Sequence, residues 1–255
     1  MQAVLPAGAA ASIGRSLDAL DAAVPNAVVG LHVTGSLALG DYHPERSDID
    51  VVFVTAGVLD AAQRGLVAEV HRVVATRIDG PYVPRALLGM PPQAIDVVPF
   101  HVDGRFEVGE CHEVSPITWA ILAEHAITVR GEQPYDLGVR ADHDAVRTFS
   151  CANLAGYWAR WARTIGALLD GALADDFMEA RMLEWGVLGV ARVHCAAHTG
   201  DVVSKRAGGE YALRVVDSEW HDLVRLALGS RAGEVEEVRV NDLRRACAFV
   251  GMLTE

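Results

Sequence analysis

The sequence predicts an α+β protein in two parts: a small mixed α/β domain over residues 1–140, then an all-α helical bundle over residues 141–255. Two observations carry this. Strand-like runs alternate with helical patterns as far as Gly131-Glu132-Gln133-Pro134. Beyond that turn the β signals largely stop, while apolar residues keep recurring at helical spacing.

Apolar positions over residues 9–24 follow a helical period until Pro25-Asn26 breaks it. Residues 27–33 (AVVGLHV) read as a buried strand. Gly35-Ser36 then opens a short helical piece that closes near Gly40-Asp41, and Ser47 precedes a second buried strand over residues 49–54. Helical periodicity returns over residues 59–77. A third strand is expected at residues 94–101 (AIDVVPFH), after Pro91-Pro92, and a weaker one at residues 106–108. Ser115-Pro116 has the form of an N-cap followed by proline at the first helical position, starting a helix that runs to about His125. Helices are expected over residues 142–170, 177–198 and 204–215, with two more toward the C-terminus.

The chain has 255 residues, 51% of them hydrophobic and 22% charged, enough to bury one good core or two smaller ones. No apolar stretch approaches the ~20 residues that a bilayer requires. No basic residue precedes Arg15, so the start lacks the charged leader of a secretory signal, and a soluble, cytoplasmic protein is expected. Cys111, Cys151, Cys195 and Cys247 form no CxxC pair and read as reduced thiols. The formal charge of −12 opposes nucleic acid phosphates and suits a cationic small-molecule partner.

The most informative stretch is GSLALGDYHPERSDIDVVFV, residues 35–54. Asp48 and Asp50 stand two apart at the start of an apolar strand, so both carboxylates project from one face. Two adjacent negative charges repel unless a cation lies between them, and magnesium takes one or two carboxylates together with substrate phosphate oxygens. Gly35 and Ser36 sit at a strand-to-helix turn, where unpaired backbone N–H groups favour an anion and the hydroxyl adds a hydrogen bond. Asp96, with apolar neighbours on both sides, is expected inside the third strand, where a metal shared with Asp48 and Asp50 would offset the cost of burying its charge. Asp41 reads as a loop acid. Trp158, Trp161 and Trp185 at helical spacing read as core. His194 and His198 share a helix face without a third ligand, and read as packing residues.

These residues carry a resemblance. The sequence GS, a short spacer, G, then SDID is similar to the nucleotidyltransferase superfamily that shares its fold with DNA polymerase β, and resembles most the aminoglycoside adenylyltransferases that act on streptomycin and spectinomycin. Residues 184–213 resemble that family's C-terminal signature: an Arg on a helix, a Thr-Gly turn, then a Ser-Lys pair. The resemblance implies transfer of AMP from ATP to a small-molecule hydroxyl, with Mg2+ on Asp48 and Asp50 and the triphosphate on Gly35 and Ser36. It also implies that Arg192 and Lys205 grip the ATP phosphates, and that Asp96 takes the place of a third acid, as general base or as metal ligand. Lys205 is the chain's only lysine. Where streptomycin-modifying relatives carry an Asp, this chain has Met182, which makes streptomycin the less expected acceptor; Glu179 and Glu184 are nearby candidates for a cationic contact. Three other readings stay open: a nucleotidyltransferase that modifies protein or RNA, as in toxin–antitoxin modules; a non-catalytic binding module, which would tolerate loss of an acid whereas here all three are present; and an adenylyltransferase that acts on an ordinary metabolite.

Overall fold

In a computed structural model, residues 5–74, 77–174 and 176–255 are described. The chain divides into two units, Met1–Asp142 and His143–Glu255.

The first unit is built on a six-stranded mixed sheet: β1 (Val28–Val33), β2 (Ile49–Thr55), β3 (Ile78–Pro84), β4 (Val98–Val102), β5 (Arg105–Gly109) and β6 (Ile127–Arg130), in the order β5-β4-β3-β2-β1-β6. Strands β2 and β3 run parallel, and the other neighbours are antiparallel. The uninterrupted apolar run of β2 is explained by burial on both faces, since Val51, Val52, Phe53 and Val54 are all at most 1% exposed. On one face, Val51, Phe53, Leu31 and Tyr82 share a core with helix α1 (Ala7–Ala23) and Val67 of helix α3 (Ala61–Val74). On the other, Val52, Val54 and Val83 pack with Trp119 and Leu122 of helix α4 (Pro116–Glu124). Ser115 caps α4 by accepting from Thr118 N, with proline next to it. The short helix α2 (Gly35–Ala38) joins β1 to the loop before β2.

Three strands of this sheet differ from expectation; β6 was not foreseen in the sequence. Strand β3, IDGPYVP, was not foreseen, because one glycine and two prolines in seven residues hide its β character. All seven are buried, and Gly80 is what allows the parallel pairing: a Cβ there would lie 1.8 Å from the Val51 carbonyl oxygen. The strand expected at residues 94–101 begins only at Val98, since Pro91-Pro92 seeds a 3-10 turn, Pro92–Ala94, that uses up the first residues. Asp96 therefore lies outside the strand and is exposed.

The second unit holds α5 (His143–Asn153), a π-helical turn (Leu154–Trp158), α6 (Ala159–Leu168), α7 (Ala180–Thr199), α8 (Lys205–Val215), α9 (His221–Ala232) and α10 (Val240–Thr254). It is not purely helical. Residues 177–179, expected to begin a helix, instead form β7 (Phe177–Glu179), which pairs with β8 (Glu237–Arg239). Helix α7 forms the middle of the core, with Leu183, Val187, Leu188 and Val190 fully buried. Its Gly186 and Gly189 make room for two indoles: a Cβ at either would come within 2.4 Å of the Trp161 or Trp158 ring respectively. Those tryptophans are packing residues, while Trp185 is 41% exposed. His194 and His198 stack at 4.0 Å, and His194 Nδ1 lies 3.0 Å from the Tyr211 hydroxyl.

Helix propensity alone would make Gly189→Ala stabilising by about 1 kcal/mol. The clash with Trp158 is expected to reverse the sign, costing about 1–3 kcal/mol in urea denaturation. Burial also holds three histidines below their ordinary value of 6.5, His32 at about 4, His71 at about 3 and His194 at about 4. The unfolded chain takes up these protons first, so stability is present above pH 6.5 and declines as pH falls toward 4. Thermal melts across that range should show the melting temperature dropping, and less steeply in His194→Gln.

Candidate active site

Strand β1 delivers the chain into a turn at Thr34, whose N–H donates to the Asp50 carbonyl at 2.8 Å and so ties the turn to the start of β2. Gly35 adopts φ +54°, which L side chains rarely do. A Cβ at this position would lie 1.7 Å from Asp50 Oδ2, so the carboxylate rests against the bare α-carbon. Next to it, the Ser36 Oγ is buried with no hydrogen-bond partner among the described residues. A buried hydroxyl without a partner costs stability, and a ligand oxygen would supply that partner.

Acids gather around this turn. Asp48 is about half exposed, and its Oδ1 accepts from Arg77 Nε at 2.9 Å. Asp50 is in register with Asp79 on the parallel strand β3, which puts two carboxylates side by side on one face. Asp79 is 7% exposed and accepts from His101 Nδ1 at 3.0 Å and from the Asp103 N–H at 3.3 Å. Since His101 Nδ1 also contacts the Ile78 carbonyl at 2.9 Å, that nitrogen carries the proton. Burial pulls the His101 pKa down, but the bonds to Asp79 and Ile78 and the charge of Asp79 outweigh it and leave the value raised. Behind His101, His71 stacks at 4.0 Å and its Nε2 meets the Tyr82 hydroxyl at 2.7 Å. Glu113, in the loop before α4, has its pKa pushed up to about 8, first by burial and then by the charges of Asp50, Asp79, Asp103 and Asp48.

Asp96 is not part of this group. It is exposed, lies outside β4, and is not among the charges that act on Glu113. The third acid beside Asp50 is Asp79. Sequence reasoning missed it because the Asp sits one residue before Gly80-Pro81, a pair that reads as a turn. The available signal was ID, which opens both β2 and β3. Asp41, expected in a solvated loop, is buried at 5%, with His43 Nε2 at 3.4 Å.

A second charged group lies in the helical unit. Lys205 at the start of α8 and Arg231 on α9 each place a cationic nitrogen 3.3 Å from Glu184 Oε1 on α7. Glu184 and Arg231 are 4% and 5% exposed, so Glu184 serves as an internal counter-ion and is not open to a substrate. Glu179 is exposed and sits opposite Glu237 in the β7–β8 ribbon. Arg192 is brought to Lys205 by close packing of the two helices: a Cβ at Gly208 would lie 2.8 Å from the Arg192 backbone. The Lys205 pKa is lowered, mainly by burial and also by the charges of Arg192 and Arg231, against the opposing pull of Glu184. Lys205 and Arg231 thus share Glu184 as a counter-ion, and Arg192 adds positive charge near Lys205. Arg231 had no signal in the sequence, because nothing in its spacing ties α9 to α7. Among the described residues, no three His, Cys, Asp or Glu side chains are grouped to hold a metal by themselves, and no helix is long and apolar enough to cross a membrane.

A mixed sheet with a Gly-Ser turn and adjoining strand carboxylates defines a nucleotidyltransferase. Residues 13–88 match the family model of the nucleotidyltransferase domain. Residues 159–255 match that of the aminoglycoside adenylyltransferase C-terminal domain. No protein among those of curated function matches the chain. A similar solved structure is a spectinomycin adenyltransferase from Enterococcus faecialis with ATP and spectinomycin; the TM-score is 0.71 at 13% identity, over 96% of this chain and 98% of that one.

Ser36→Ala removes a hydroxyl that has no partner to lose. It is expected to leave the melting temperature unchanged or higher, and to weaken nucleotide binding by about 1 kcal/mol, roughly fivefold, in calorimetric titration. Gly35→Ala should do more, since its methyl group displaces the Asp50 carboxylate, and turnover is expected to fall at least about 100-fold with the fold retained by circular dichroism.

Proposed function

We propose that this enzyme transfers AMP from ATP, with magnesium, to a hydroxyl of a cationic small molecule, an aminocyclitol or aminoglycoside such as spectinomycin. The observation that carries the reading is the contact of the Asp50 carboxylate with the Gly35 α-carbon, next to the unpartnered Ser36 Oγ. A solved protein of the same fold contains ATP and spectinomycin, which supports the choice of donor and acceptor class.

The site's donor chemistry fits magnesium. It offers carboxylate oxygens, and Glu113, whose pKa is raised first by burial, also feels the charges of Asp50, Asp79, Asp103 and Asp48. Asp48 and Asp50 would hold the metal, with Asp79 beside them and phosphate oxygens completing the shell. When bound, it supplies neutralisation of the charge that develops on the transferred phosphoryl group.

Gly35 and Ser36 bind phosphate oxygens of ATP, Ser36 donating its hydroxyl proton. Arg192 and Lys205, in the second unit, are cationic donors of the kind that phosphate oxygens take. Asp79, in the role first assigned to Asp96, is oriented by His101 and by the Asp103 N–H, and accepts the proton of the acceptor hydroxyl. The acceptor oxygen bonds to the α-phosphorus as the bond from that phosphorus to the leaving pyrophosphate breaks. The surrounding carboxylates, Asp103 included, favour an acceptor that carries ammonium groups.

Incubation with ATP, magnesium and spectinomycin should release pyrophosphate and add the mass of one AMP to the antibiotic. Asp50→Asn and Asp79→Asn should each lower turnover at least about 100-fold, while Asp96→Asn leaves it unchanged. Inactive Asp96→Asn with active Asp79→Asn would overturn the assignment of the third acid. No mass gain on spectinomycin, streptomycin or related aminoglycosides would overturn the acceptor class.

A further inference from the structure

The three acids at the Gly35 turn are held in different ways. Asp50 is fixed sterically, against the α-carbon of Gly35. Asp79 is buried and accepts from His101 Nδ1 and from the Asp103 N–H. Asp48 stands just before β2 with its side chain 45% exposed, and its side-chain partner among the described residues is Arg77, the residue before β3. The backbone sets this pairing, because the Ile49 N–H donates to the Arg77 carbonyl at 2.7 Å and so brings the two strand entries together.

The pair differs from the other arginine–carboxylate pairs of the chain. Arg85, Arg130 and Arg245 each engage both oxygens of a carboxylate, those of Glu132, Asp21 and Asp222 respectively. Arg77 instead brings Nε and Nη2 to 2.9 Å from one oxygen, Asp48 Oδ1. No hydrogen bond reaches Asp48 Oδ2 among the described residues, so that oxygen is left for a ligand.

An arginine beside a cation site has two opposing effects. Its charge repels the cation, while its hydrogen bond fixes the carboxylate that binds the cation. Both partners here are about half in solvent, which screens the charge effect to at most about fivefold in an equilibrium. A hydrogen bond that orients a metal-binding carboxylate is worth roughly 10- to 100-fold in affinity. Orientation therefore outweighs repulsion.

Building on the assignment of Asp48 to the metal, we propose that Arg77 is a positioning residue of the metal site: it grips Asp48 Oδ1 so that Oδ2 is presented to the divalent cation. Of the three acids, Asp48 is the one that neither close packing nor burial fixes, so its aim depends on this side chain.

Mn2+, followed by electron paramagnetic resonance without nucleotide, serves as the probe. Arg77→Gln is expected to weaken Mn2+ binding at least about tenfold with the melting temperature unchanged. Arg77→Lys, which keeps the charge but offers a single nitrogen, should fall between Arg77→Gln and the wild type. Added to Asp48→Asn, where Asp50 and Asp79 leave a weaker site, Arg77→Gln should cause no further loss. Tighter or unchanged Mn2+ binding in Arg77→Gln would overturn the proposal, as would an equal loss in the presence and absence of Asp48. Undiminished Mn2+ binding in Asp48→Asn alone, or none in the wild type at millimolar Mn2+, would overturn the metal assignment and this role with it.

Discussion

The site depends on one steric constraint: the Asp50 carboxylate occupies the space where any other residue at position 35 would carry its side chain. The turn and the acid are therefore a single device. The hydrogen bond from Thr34 N–H to the Asp50 carbonyl fixes the two strand ends. The positive φ of Gly35 then sends the chain around the carboxylate and into α2. Ser36 follows at once, so its hydroxyl is buried beside the acid without a protein partner. The turn, the buried hydroxyl and the carboxylate come together within a few residues of chain because of this packing.

The same economy recurs at β3. Pairing β2 with β3 in parallel needs the close approach at Gly80, and the register that results sets Asp79 next to Asp50. Asp79 is in turn bonded by His101, which is backed by His71 and Tyr82 in a stacked and hydrogen-bonded series reaching into the core. A carboxylate supported in this way keeps one orientation, which the proton transfer proposed for it requires. The aromatic packing of the first unit thus contributes to the placement of Asp79 as well as to stability.

Elements with strong local signals were legible in the sequence. The apolar run of β2, the Gly35-Ser36 turn, the Ser115 cap and the helical periods of the second half all express themselves within a few neighbouring residues, and the two-part α+β architecture follows from them. Asp96 and Asp79 show where local reading stops. Asp96 sits between apolar neighbours and looks buried, but a preceding diproline delays the strand and leaves it in solvent. Asp79 stands in a glycine- and proline-containing segment that becomes a fully buried strand only because β2 and β4 flank it. Arg231 and Glu184 likewise meet through the packing of α7 against α9, a long-range contact that no spacing encodes.

The chain carries one lysine, and its position gives the helical unit an unusual chemical identity. The Lys205 amine is held in a cluster of positive charge, with a lowered pKa and a side chain only 19% exposed. A lowered pKa enriches the uncharged, nucleophilic form at neutral pH. An acylating or arylating reagent would thus find a single side-chain amine in the whole molecule, at the heart of the cationic group. Its rate of labelling is a native reporter of whatever anion sits there, with no tag or engineered residue required.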